Sequence, residues 1–464
     1  MLPAVMAGFV ASAHAESIAS ALERAYDGNP NLNQSRANVR ARDEEAPKAL
    51  SGMRPKASIT ASAGPQYGNL RIPFGAGMSV SAAGANAANF AAAYLGKPRG
   101  ATLNMQQTLF DGGATANSVR RAESDVFAAR ASLRLTEQAT LQNGATAYMN
   151  VLRDTAVLSL RKNNIAVLEE QLRQTRDRFQ LGEVTRTDVA QAEASLAQAR
   201  SESYGAESML KTSVANYRQI IGVDPRQLEP ARPLDARLPQ SLADAVLIAL
   251  GEHPSVVTAL HQVDSAEMAV KVAEAALAPN LSVNAQVSNQ YDAFYGLPGS
   301  RAFLAGVNGQ LNVPLYQGGS EYASIRQAKE QLGQARLNAD LQRDMARANV
   351  VTAYGALETA KASIASGQAA VKAAEAALAG VREEAKVGQR TTLDVLNAQQ
   401  ALLNARVNLV TAQRDRVVAS YAALGAIGRL SAAELQLNVA LYDPSTHFEQ
   451  VKTKWFGTSA PDGR

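Results

Sequence analysis

The chain of 464 residues carries 46 Lys and Arg against 42 Asp and Glu, a net charge of +4. The two signs are interspersed, so no basic patch forms and no nucleic-acid partner is expected. Cysteine is absent, which excludes disulfides, thiolate metal sites, a cysteine nucleophile and lipid attached at a processed N-terminal cysteine. No run of about 18 or more apolar residues occurs, so contact with a bilayer has to be made with strands rather than with a spanning helix.

In chain order, residues 1–15 read as a secretory leader: Leu2 to Ala15 is apolar and small and ends in Ala13-His14-Ala15. Glu16 is the expected first residue of the mature chain. The positively charged start of such a leader is missing, which leaves open a start further upstream. A short amphipathic helix from Ser17 stops at Asn29-Pro30, and its echo from Ser241 stops at His253-Pro254. Each leads into an Ala- and charge-rich helix, to roughly Leu50 and Leu277.

The periodicity then changes to two. Ala57-Ser58-Ile59-Thr60-Ala61 alternates apolar with hydroxyl residues, and Thr102-Leu103-Asn104-Met105-Gln106 does the same. Leu281 to Ser288 and Val307 to Val313 repeat the pattern. Four strands are predicted, about 56–67, 101–109, 280–290 and 303–315, each with one apolar and one uncharged polar face. Turn-rich loops, Gly68 to Gly100 and Tyr291 to Arg301, separate the members of each pair. Aromatic residues near the strand ends (Tyr67, Phe110, Tyr291, Phe303, Tyr316) suit a membrane interface. An ordinary sheet packed on helices is the alternative. Membrane barrels need about eight strands, so the barrel reading requires copies to pool theirs and leave no edge.

Long helices follow, about 114–181 and 187–221, then about 321–387 and 391–425. Gly182, Thr185, Asp188 and Val189 recur as Gly388, Thr391, Asp394 and Val395, displaced by 206 (394 − 188). The same displacement carries Leu109 and Gly112-Gly113 onto Leu315 and Gly318-Gly319. An extra residue in a packed helix would rotate everything after it by about 100°, so a constant offset marks a duplication built on two helical hairpins. The first repeat is expected over 16–230 and the second over 231–430, with a peripheral segment and disordered tail over 431–464. Seven-residue tracks (Val189, Leu196, Leu210 beside Ala192, Ala199, Ala206; Val395, Leu402, Leu409 beside Ala398, Ala405, Ala412) predict coiled-coil seams.

No phosphate-binding Gly-Lys-Ser/Thr loop, H-E-x-x-H pattern or nucleophile elbow is present, and the four histidines form no ligand cluster. No catalytic, cofactor-binding or metal-binding residue is assigned. Thr185-x-x-Asp188 and Thr391-x-x-Asp394 read as capping boxes at helix starts.

Taken together, the leader, the duplicated helix–strand–loop–strand–long-helix–return-helix unit, Leu-Phe-Asp-Gly-Gly at 109–113, Leu-Tyr-Gln-Gly-Gly at 315–319 and the run from Val387 to Ala398 resemble the TolC family of outer-membrane channels. The resemblance covers Ser17 to Leu430. It implies a mostly α fold with a small β part, in which long coiled-coil hairpins form an α-barrel and four strands per chain enter an oligomeric transmembrane β-barrel. It also implies a homotrimer in outer-membrane lipid, extending into the periplasm, with a periplasmic adaptor and an inner-membrane pump as partners. The function implied is an exit duct for drug efflux or type I protein secretion; the alternative is a periplasmic coiled-coil protein without a pore. By resemblance, Asp394 lines the narrow entrance, where a second acidic position one turn later is Asn397 here, and Arg390 latches to Asp188 and Thr187 of a neighbouring hairpin. A tyrosine that adds a further link in the family is Ala385 in this chain. The hairpin tips, Leu181, Gly182 and Glu183 with Val387, Gly388 and Gln389, are the expected adaptor contacts.

Overall fold

The computed structural model describes residues 16–73, 80–82, 85–87, 89–292 and 299–461. The predicted leader, parts of both strand connections (74–79, 83–84 and 88 in the first, 293–298 in the second) and the last three residues therefore lie outside the described residues. The helical elements are α1 (Ile18–Gly28), α2 (Pro30–Asp43), α3 (Glu45–Leu50), α4 (Ala114–Gln180), α5 (Arg186–Ile221), α6 (Leu242–Glu252), α7 (Pro254–Ala275), α8 (Ser320–Lys386), α9 (Thr392–Ile427) and α10 (Pro444–Val451). The strands are β1 (Lys56–Ala63), β2 (Gln66–Pro73), β3 (Val80–Ala82), β4 (Ala85–Ala87), β5 (Asn89–Gly96), β6 (Arg99–Phe110), β7 (Asn280–Tyr291) and β8 (Arg301–Asn312). The duplication is exact in length: α4 and α8 each have 67 residues, and α5 and α9 each have 36.

Two compact units are present, and each draws on both halves of the sequence. One comprises 16–41, 126–262 and 336–447; the other comprises the described parts of 42–125, 263–335 and 448–461.

In the first unit, the central core gathers Leu22 and Tyr26 of α1, Leu141 and Tyr148 of α4, Tyr217 and Ile221 of α5, and Leu424 of α9. Its polar anchor is Glu16. The Glu16 carboxylate accepts from Arg24 at 2.7 Å and from the Tyr217 hydroxyl at 2.8 Å, and the Tyr148 hydroxyl lies 2.7 Å from the Glu16 carbonyl. A second cluster, Leu168, Leu172, Ala192, Leu196 and Ala199, packs α4 on α5 and takes in Leu396 of α9. Here the predicted first seam is found. In α9 the predicted positions Val395 and Ala412 are buried, together with Leu396, Gln399 and Leu403, whereas Leu402 and Leu409 are only half-buried. Beyond Val395 the buried face therefore passes from the predicted Leu402 to Leu403, one residue later. Seven-residue spacing alone leaves that rotation free; the neighbouring helix sets it. Segment 242–275 is apolar enough by composition to cross a membrane. It is instead two helices broken at His253-Pro254, with Ala245, Ala249 and Val256 fully buried.

The second unit carries a four-stranded antiparallel sheet in the order β1-β6-β7-β8. The two halves of the sequence meet where β6 pairs β7, with Leu103 opposite Val287. Register places Ile59, Leu103, Val287 and Ala305 in one row, and Ala57, Met105, Ala285 and Val307 in the next row on the same face. The other face holds Ser58, Asn104 and Gln286, then Thr60, Thr102 and Ser288, joined by a 3.1 Å contact between the Thr102 and Ser288 hydroxyls. β8 ends before Pro314, which has no N–H to give the ladder.

The predicted loop Gly68 to Gly100 is corrected by the structure. β2 and β5 pair antiparallel from Gln66↔Gly96 to Pro73↔Asn89, and β3 pairs β4. Pro65 interrupts the ladder, and the Gly64 N–H reaches the Pro98 carbonyl at 3.2 Å across the break. Ala- and Gly-rich sequence gave no alternating pattern, whereas backbone pairing does not depend on one. At the strand-to-helix junction, the Asp111 carboxylate accepts from the Gly113 and Thr115 N–H groups at 3.1 and 2.7 Å. Gly112 there has φ +65°, and a Cβ on it would lie 2.3 Å from the Ala278 Cβ.

The segment after Leu430 is built into the fold rather than trailing from it. Within the first unit, the Tyr442 N–H donates to the Tyr26 hydroxyl at 3.1 Å and Leu430 and Ala432 are fully buried. Within the second, Arg54 stacks 4.7 Å from the Trp455 ring centre and donates to the Lys454 carbonyl at 2.8 Å.

Candidate functional site

The two hairpin tips share one construction. α4 closes with the Glu183 N–H on the Arg178 carbonyl (2.9 Å) and the Gly182 N–H on the Phe179 carbonyl (3.0 Å); α8 closes with Gln389 on Glu384 (2.9 Å) and Gly388 on Ala385 (3.2 Å). This is the Schellman reversal, which needs a left-handed residue. Gly182 and Gly388 supply it at φ +78° and +79°. The return helices then start on full capping boxes. Asp188 Oδ2 accepts from the Thr185 N–H (2.8 Å) and hydroxyl (2.7 Å), and Asp394 Oδ2 accepts from the Thr391 N–H and hydroxyl, both at 2.9 Å. These bonds hold both carboxyls below the ordinary aspartate range: at Asp188 the Thr185 hydroxyl contributes most, at Asp394 the Thr391 N–H. Both are therefore anions at neutral pH.

Leu181 and Val387 project from the tips, roughly three-quarters exposed, at 75% and 71%. Glu183, Gln389, Thr187 and Asn397 are also exposed. The structure gives Arg390 a partner that the sequence did not reveal: its Nε donates to Glu384 at 2.8 Å within the same tip. The first tip makes the mirror pair, Arg178 to Glu183 at 3.0 Å. The sign is reversed: the cation ends the helix in the first copy and sits in the turn in the second. Thr187 and Asp188 are not partners of Arg390 within one chain; the predicted latch concerns a neighbouring hairpin. In the sequence Glu384 belongs to no motif and stands only beside Glu383 on the long helix.

Behind the tips, the hairpins are clasped by equivalent ion pairs, Arg200 to Glu169 at 2.8 Å and Arg406 to Glu375 at 2.7 Å. A further pair, Arg176 to Glu193, exists in the first hairpin. The corresponding positions of the second are Arg382 and Gln399. Gln399 is buried, and neither end of its amide has a protein hydrogen-bond partner. The duplication thus left the second hairpin with one clasp fewer near its tip. Among the described residues, no group of three His, Asp or Glu side chains is placed to hold a metal ion. The arrangement offers chemistry of recognition and charge rather than of bond making: fixed anions, exposed apolar tips and breakable ion pairs.

Comparison with known proteins places this arrangement. The family model described as outer membrane efflux protein matches residues 21–223 and 246–429. The outer membrane efflux protein BepC of Brucella suis biovar 1 (strain 1330) is 42% identical over 453 residues, covering 98% of this chain and 94% of that protein. The outer membrane protein TolC of Escherichia coli (strain K12) is 27% identical over 472 residues, covering 96% and 89%. Among solved structures, the Campylobacter jejuni CmeC outer membrane channel superposes with a TM-score of 0.75 at 17% identity, over 94% of this chain and 89% of that one.

Proposed function

Because this chain belongs to the outer membrane efflux protein family, we propose that three copies assemble into one duct, their four-stranded sheets pooled into a barrel and their hairpins into a tunnel. The chain is an outer-membrane channel protein extending into the periplasm, of a family made up of channels rather than enzymes. The observation that carries the trimer is the state of the sheet in one chain. β1 is exposed along its whole length and β8 nearly so, and each has a single strand partner among the described residues. Such edges and faces are covered by closure: the apolar face meets lipid, and the Ser/Thr/Asn/Gln face lines water.

The tips are the periplasmic entrance. Three Asp394 carboxylates brought together by symmetry form a single acidic ring that favours cations; with Asn397 one turn on, a second ring is absent. Arg390 closes the entrance by reaching Asp188 and Thr187 of the neighbouring hairpin, sharing or leaving Glu384 as it does so. Leu181, Gly182, Glu183, Val387, Gly388 and Gln389 receive a periplasmic adaptor, which links the duct to an inner-membrane pump for drug efflux or type I secretion. Single-channel recording in planar bilayers tests the reading. Trivalent cations should block the wild type and lose that block in Asp394→Ala. Arg390→Ala and Asp188→Ala should each raise conductance, without adding in the double variant. Unchanged block and unchanged conductance would remove the entrance from the tips. Crosslinkers at Glu183 and Gln389 should capture the adaptor, and capture only from mid-helix positions would refute the docking site.

A further inference from the structure

We infer that the outer end of the sheet carries a binding site for the phosphate of an outer-leaflet lipid headgroup, made by Arg99, Tyr291 and Arg301. The inference rests on the membrane reading above. Register places the three residues in one row across β6, β7 and β8, with Arg99 opposite Tyr291 and Tyr291 opposite Arg301. Strand alternation puts this row on the same face as Leu103, Val287 and Phe303, the apolar face. The guanidinium carbons lie 5.4 Å (Arg99) and 5.3 Å (Arg301) from the Tyr291 ring centre. Both are within the roughly 6 Å at which a ring's negative face attracts a cation. One tyrosine between two strands therefore collects two cations.

Position decides what such a pair meets. The row lies at the strand ends away from the junctions with α4 and α7, and hence towards the outer leaflet. From Leu281, where the apolar face begins, ten residues of β7 at about 3.3 Å each and a tilt of about 40° reach about 25 Å, the height of the lipid-facing band of such barrels. The two arginines thus stand at headgroup level rather than among acyl chains. Both are exposed, and among the described residues neither forms an ion pair with a carboxylate. The neighbouring sequence supplies little negative charge: connections 64–98 and 292–300 contain Arg71 and Lys97 but a single acid, Asp292. The Asp292 carboxylate accepts from the Gly299 N–H at 2.6 Å. Planar guanidinium forks pair bidentately with phosphate, and a lipid phosphate is the anion available at that depth.

The test uses the full chain in phosphatidylcholine nanodiscs doped with diphosphoryl lipid A or with its dephosphorylated form, with lipid retention read by native mass spectrometry. Retention of the diphosphoryl form should exceed that of the dephosphorylated form. It should fall about fivefold for each of Arg99→Ala and Arg301→Ala, the attraction of one surface arginine to an anionic headgroup. Arg99→Lys with Arg301→Lys should restore part of it, since the charge stays but the stacking fork is lost. Millimolar inorganic phosphate should leave the lipid in place; displacement by it would make this a free-anion site and overturn the lipid assignment. Equal retention of the two lipids, or by wild type and the double alanine variant, would overturn the site. Conductance of the variants should match wild type, because the row faces lipid and not the lumen. Wild-type chain that forms no channel would refute the membrane reading underneath, whereas channels indifferent to the lipid phosphate would refute the site alone.

Discussion

Replacing Tyr217 by Phe removes one hydroxyl from the anchor beneath the central core, and the structure sets what that costs. Tyr217 is fully buried, and its hydroxyl donates at 2.8 Å to a Glu16 carboxylate whose side chain is only 3% exposed. Burial first, then the bond to Glu16, keep the phenol far above the ordinary tyrosine pKa, so it remains a neutral donor at any working pH. A hydrogen bond to a charged acceptor contributes about 1.5–3 kcal/mol. The lower part of that range applies, because Arg24 still holds the same oxygen at 2.7 Å and is itself half-exposed. Tyr217→Phe should therefore destabilise by about 2 kcal/mol, roughly a thirtyfold shift towards the unfolded state. Denaturant unfolding of the full chain in detergent, followed by helical ellipticity, reads the loss as a lower midpoint at unchanged slope. The same substitution in a Glu16→Gln background should cost about 1 kcal/mol less, since a neutral amide is the weaker acceptor. A loss below about 0.5 kcal/mol, or identical losses in the two backgrounds, would show that the pair is not coupled and refute the anchor.

His253 and Gln399 yield two further tests. Burial lowers the His253 pKa below 6.5, and its Nδ1 accepts from the Ser255 N–H at 3.2 Å, so the folded state prefers the neutral ring. The stability it contributes is present above about pH 6.5 and is lost as the pH falls through the lowered folded value. His253→Asn should abolish that acid-side decline while keeping the cap, as Asn29 does for Leu32 in the first copy; an unchanged pH profile would clear His253 of the effect. Gln399→Leu should stabilise the hairpins by about 1 kcal/mol by removing an unpaired buried amide, and should lower the open probability of the channel. Destabilisation instead would mean that the amide has found a partner such as water.

The sequence by itself determined what is local and periodic. Alternation from Leu281 to Ser288 marked which residues share a face, and the pairing register then aligned those faces across all four strands. The offset between Asp188 and Asp394 fixed two equal hairpins, because an inserted residue would have turned the rest of the helix off its seam. Tip chemistry was legible for the same reason: Gly182 and Gly388, with the threonine and aspartate that follow, satisfy backbone groups within a few residues of themselves. Tertiary structure decided everything that depends on a distant partner. The pairing of β2 with β5 rests on backbone bonds that Ala- and Gly-rich sequence does not announce. The local rotation of α9 that buries Leu403 in place of Leu402 was set by what packs against it. The choice of Glu384 by Arg390, and the row of Arg99, Tyr291 and Arg301 assembled from three strands, follow no spacing rule. Charge complementarity is satisfied by whichever group the fold brings near, and a one-dimensional pattern records only neighbours along the chain.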